Sequence, residues 1–168
     1  MIKEFLKYLF QFVVLILAQL AVFKNIEFSG YINPYVYVLF ILLLPFYIPR
    51  IVLLISAFTL GLVMDLFMGT PGVHSTATVL MAFSRPFVLA LFSPREGYQT
   101  GTLPRLSEFG LEWFVKYTII LVFLHHFTLF YLEVFTLDYF FSTFFRALLS
   151  MMLTSLIIII SQFFVFRQ

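Results

Sequence analysis

The stretch GLVMDLFMGTPGVHSTATVLMAFSRP, residues 61–86, decides how the chain is read. Two apolar arms flank a glycine-containing turn at 69–72, yet the arms hold Asp65 and, twenty positions later, Arg85. The whole chain is 62% hydrophobic and 11% charged. A soluble domain carries about 25% charged residues, so this chain cannot cover a water-facing surface. Its apolar runs read as membrane spans, and two charges inside such spans demand partners in the protein interior.

A spanning helix needs about 20 mainly apolar residues. Six runs qualify: 5–23, 34–48, 50–68, 75–93, 112–132 and 138–166. The expected fold is an all-α integral membrane bundle of six helices, one transmembrane domain over residues 1–168. The first run is too long for a signal-peptide core and no A-x-A site follows it, so it reads as a retained span. The second is short. Asn33 and Pro34 suit an N-cap and a first helical position, while Pro45 interrupts the run and Pro49 ends it.

Lysine and arginine counting sets the expected orientation. With the N-terminus inside, Lys3, Lys7, Arg50, Arg95, Arg105 and Arg167 fall on the cytoplasmic side, with Lys116 nearby. The outer segments hold Lys24 with Glu27, Glu133 and Asp138. Both termini then face the cytoplasm. The one long connection, 94–111, is cytoplasmic on this count. Its charged residues Arg95, Glu96, Arg105 and Glu108 make it a candidate contact loop.

Polar residues recur at helical spacing. Ala57, Gly61, Asp65 and Gly69 share one face of the third span. Ser75, Thr78, Ala82 and Arg85 share a face of the fourth, and Ser142, Arg146, Ser150 and Thr154 a face of the sixth. Lys7, Gln11, Leu15 and Gln19 form a sparser stripe on the first. Small and hydroxyl residues let helices approach closely and hydrogen-bond across the contact. From depth along the spans, Asp65 is expected to pair with Arg85 or Arg146, and Pro86 to free a carbonyl as a further acceptor for Arg85. The candidate packing residues are Gly61, Asp65, Gly69, Gly72, Thr78, Arg85, Pro86 and Arg146.

Chemistry-bearing patterns are sparse. There is no cysteine, which excludes disulfides and thiolate chemistry. His125 and His126 are adjacent, point about 100° apart on one helix, and cannot chelate one metal from one face. His74 falls in the outer connection, and interfacial or hydrogen-bonded histidine is the expectation for all three. No phosphate-binding loop, G-x-S-x-G or H-E-x-x-H pattern occurs. Basic residues are scattered and net charge is +2, so a nucleic-acid partner is not expected. No catalytic residue, cofactor or metal is expected.

These same residues resemble a known family. LGLVMDLFMGTPGVHSTATVLMAFSRP, with Gly-x-x-x-Asp at 61–65, the glycine turn at 69–72 and Arg-Pro at 85–86, is similar to the rod shape-determining MreD family of bacterial cell-wall synthesis. NPYVYVLFILLLPFYIPR, residues 33–50, resembles the form seen in one branch of Gram-negative bacteria. The resemblance implies a non-enzymatic, multi-pass subunit of the bacterial inner membrane. It implies the scaffold protein MreC as partner, with the filament protein MreB, the glycosyltransferase RodA and its penicillin-binding transpeptidase. It also implies a fold similar to the substrate-binding subunits of energy-coupling-factor transporters. A vitamin-binding membrane subunit is therefore the alternative.

Overall fold

The computed structural model describes residues 2–25, 31–99 and 101–165. Of the charges used for orientation, Glu27 and Arg167 lie outside the described residues. Six α-helices follow in order: α1 (Ile2–Ala21), α2 (Leu39–Leu43), α3 (Arg50–Met68), α4 (Val73–Leu91), α5 (Leu106–Val134) and α6 (Phe140–Val165). Short 3-10 turns occupy Phe23–Asn25 and Val36–Val38. α1, α3, α5 and α6 are long and apolar enough to cross a membrane. α4 matches α3 in length but is diluted by Arg85, His74 and four hydroxyl residues.

The chain packs mainly as consecutive neighbours, α3 on α4, α4 on α5 and α5 on α6. α1 is attached more lightly, to the 36–43 segment and to α3, and buries only Ile16 and Gln19. Glycines place the corners. Gly69 ends α3 in the left-handed region at φ 72°, where its amide bonds the Asp65 carbonyl at 2.9 Å. Gly110 breaks α5 at φ 78°, ψ 170°, so one helical turn precedes the long helix.

The expected span 34–48 takes a different form. It is helical only over Val36–Val38 and α2, and every residue from 34 to 44 is buried. Residues 33–35 are non-helical, so Asn33 is not an N-cap and Pro34 is not a first helical position. Helix ends at Leu43, two residues before Pro45, whose ring disfavours helical geometry in the residue before it. The run is apolar on all sides because it threads the bundle interior. Tyr37, Val38, Ile41 and Leu42 are fully enclosed.

Candidate functional site

A broken helix inside a bundle leaves backbone groups without intrahelical partners. Where water is absent each must be satisfied by protein. The amide of Asn33 donates to Ser150 Oγ at 3.1 Å and that of Tyr35 to Thr154 Oγ1 at 3.1 Å. Gln19 Oε1 accepts from Val36 at 2.8 Å and Tyr37 at 3.3 Å, while its Nε2 donates to the Pro34 carbonyl at 2.9 Å. At the other end, Arg85 Nη2 donates to the Leu44 carbonyl and Nη1 to that of Pro45 at 3.3 Å. Arg85 Nε donates to Tyr117 Oη at 2.8 Å, and that hydroxyl donates to the Leu42 carbonyl at 2.9 Å. Gln19 of α1, Arg85 of α4 and Ser150 and Thr154 of α6 thus serve one buried segment.

Asp65 has a separate task. Its Oδ1 accepts from the His74 amide at 2.8 Å and Thr70 Oγ1 at 3.1 Å. Its Oδ2 accepts from the Ser75 hydroxyl at 2.6 Å, the Ser75 amide at 3.0 Å and the Gly72 amide at 3.1 Å. The carboxylate caps α4 from the end of α3, meeting free N–H groups and the positive end of the helix dipole.

The expected ion pair is therefore replaced. Asp65 takes α4's first turn, and Arg85 takes the Leu44 and Pro45 carbonyls, neither of them the one that Pro86 frees. Arg146 pairs with Glu133 at 3.4 Å. No bond joins Asp65 to either arginine among the described residues. Gly61 does lie at the α3–α4 contact, while the buried Thr78 donates to the His74 carbonyl at 2.7 Å. A Cβ on Gly61 would stand 2.3 Å from Ser75 Cα, so the two backbones touch there.

The histidines are hydrogen-bonded, as expected, but the placement of His74 differs. His74 sits in the first turn of α4 rather than in a connection, and all three are buried. Tyr37 Oη lies 2.8 Å from both His74 Nδ1 and His125 Nε2, and 3.5 Å from Thr78 Oγ1. His125 Nδ1 is 3.4 Å from His126 Nδ1, which is 3.0 Å from the Val122 carbonyl. His126 Nε2 is 2.9 Å from Thr154 Oγ1. Segment 33–43, α4, α5 and α6 thus meet in one continuous polar chain. Sequence reasoning missed it because the parts come from four elements. Its one sequence signal is histidine and tyrosine placed in the middle of apolar runs. Among the described residues, no group of three His, Asp or Glu side chains is placed to hold a metal ion.

Beside this chain lies a cleft of about 560 Å³, near the α3–α4 turn, reached by Lys24, Thr70, His74, Glu133 and Arg146. At the opposite end of α4, the 94–105 connection is tethered. Tyr98 stacks on Phe46 at 4.0 Å, accepts from Tyr47 Oη through its carbonyl, and donates its hydroxyl to the Leu89 carbonyl at 2.8 Å. Burial raises the pKa of that hydroxyl above the ordinary tyrosine value. Arg95, Glu96 and Glu108 are exposed, while Arg105 is half-buried.

Comparison with protein-family models, with curated proteins and with solved structures returns no match.

Proposed function

We propose that this chain is a non-enzymatic scaffold subunit of the bacterial cell-elongation machinery, of the MreD type, working through helix contacts with MreC and wall-synthesis enzymes. The sequence likeness of residues 33–50 and 61–86 supports the family. One structural observation supports the scaffold role: α1 packs on the bundle along one face only, through Tyr8, Phe12, Leu15, Ile16, Gln19 and Leu20, and exposes the other. A helix attached this lightly presents most of its surface to lipid or to another helix. Gln19, Asp65, Arg85, Ser150 and Thr154 serve the chain's own backbone, which suits a shape-holding part.

On this reading both termini and the 94–111 connection face the cytoplasm of an inner-membrane protein, and Arg95, Glu96 and Glu108 are open to MreB or other cytoplasmic partners. The test is a native pull-down of the tagged full chain in mild detergent, with companions identified by mass spectrometry. Recovery of MreC with a glycosyltransferase and transpeptidase supports the proposal. Recovery of a transporter's ATPases and coupling subunit overturns it in favour of the vitamin-transporter reading.

A further inference from the structure

We propose that the cleft beside the histidine chain is a binding site for an oxyanion, a carboxylate or phosphate group, held by Arg146, Lys24 and His74. This goes beyond the scaffold reading and does not depend on it.

The bond lengths assign the proton positions. His126 Nδ1 faces the Val122 carbonyl, which can only accept, so Nδ1 carries the proton. His126 Nε2 then accepts from Thr154, whose oxygen in turn accepts from the Tyr35 amide. His125 Nδ1 faces a donor and is bare, so its Nε2 holds the proton and donates to Tyr37. The Tyr37 proton goes to His74 Nδ1 at 2.8 Å rather than to Thr78 at 3.5 Å. His74 Nδ1 is thereby an acceptor, and its Nε2 is left as a donor. His74 lines the cleft, and no bond to its Nε2 is formed among the described residues. The whole chain has one polarity, ending as an N–H.

The other groups match. The Arg146 guanidinium lies 4.5 Å over the Phe130 ring, and its polar contacts are all long, 3.3 Å to the Tyr31 carbonyl, 3.4 Å to Asn33 Oδ1 and 3.4 Å to Glu133. Its guanidinium has five N–H donors, more than these contacts use. Lys24 Nζ donates to the Phe67 carbonyl at 2.9 Å and keeps two further protons. Two cations face one carboxylate, and the donors outnumber the acceptors. A group with several acceptor oxygens and negative charge completes such a site. The volume is within the range of small-molecule pockets, about 300–1,000 Å³. The oxyanion could be a soluble molecule's or a phospholipid headgroup's, and the experiment separates them.

Full-length protein in neutral maltoside detergent is titrated with sodium phosphate and with citrate, ionic strength being held with sodium chloride. It is also placed in phosphatidylcholine nanodiscs with and without phosphatidylglycerol. Thermal unfolding is followed throughout. The expected result is a saturable rise in Tm with an oxyanion over chloride. Lys24→Gln and Arg146→Gln should each weaken the apparent affinity at least about tenfold. Glu133→Gln should tighten it several-fold by releasing Arg146, an effect of opposite sign that a structural role would not give. Stabilisation by phosphate or citrate identifies a soluble ligand; stabilisation by phosphatidylglycerol alone, lost in the same variants, identifies a headgroup. No rise over chloride in any arm overturns the proposal, as does a rise that persists in both variants. If Arg146→Gln fails to fold, Lys24→Gln decides alone.

Discussion

Asp65 ends α3 by capping the helix that follows it: its Oδ1 stands 2.8 Å from the amide nitrogen of His74, and its Oδ2 receives both donors of Ser75. The acid is thus a local joint between two consecutive helices, five to ten residues from the groups it bonds. Asp65→Asn retains one acceptor oxygen and turns an NH₂ toward N–H groups. The variant should lose about 2–3 kcal/mol of stability, the cost of leaving buried donors unpaired. Reversible unfolding in mixed detergent measures it, and a loss under about 0.5 kcal/mol would deny the cap its role.

Because Asp65 and Arg85 share no partner, their substitutions should act independently. The double variant Asp65→Asn, Arg85→Gln should equal the sum of the single changes within about 0.5 kcal/mol. A coupling energy above about 1 kcal/mol would reinstate a direct ion pair. Arg85→Lys alone should cost about 2 kcal/mol, because an ammonium cannot reach two carbonyls and a phenol with the geometry of a guanidinium.

Much of the long architecture was legible in sequence. The apolar runs at 50–68, 75–93, 112–132 and 138–166 correspond to α3, α4, α5 and α6 within a few residues, since period and length are local properties. The run 34–48 was not legible in the same way. A lipid-facing span and a segment threading a bundle are both continuously apolar. The partner of Asp65 was misjudged for a related reason. Depth along a helix says how far apart two charges lie, but not that backbone N–H groups next door offer the same stabilisation at no distance. The burial of Gly61, Asp65, Thr78 and Arg85 followed from spacing, whereas Lys7, Gly69 and Ser142, at the ends of their stripes, are exposed.

The close approach of α3 and α4 at Gly61 gives a steric prediction. Gly61→Ala places a methyl 2.3 Å from Ser75 Cα and 2.7 Å from the His74 carbonyl oxygen, both backbone atoms that cannot rotate away. α3 and α4 must separate, which should cost about 1–3 kcal/mol and disturb the Asp65 cap as well. Gly69→Ala is the control. Its Cβ meets nothing within 4 Å, and only the left-handed φ of 72° resists it, for about 1 kcal/mol. Equal losses in the two variants would contradict the close contact.

The polarity of the histidine chain is open to direct observation. In ¹⁵N spectra of the labelled protein, His126 should carry its proton on Nδ1, and His125 and His74 on Nε2. Tyr37→Phe removes the hydroxyl that bridges His74 and His125 while keeping the ring, so the tautomer of His74 is no longer imposed. Its Nδ1 and Nε2 signals should move, and those of His126, anchored by Val122 and Thr154, should stay in place. The same substitution leaves two buried nitrogens without their shared partner and should lower stability by about 1–3 kcal/mol. A wild-type spectrum with the His74 proton on Nδ1 would reverse the chain, and the cleft would then present an acceptor to its ligand.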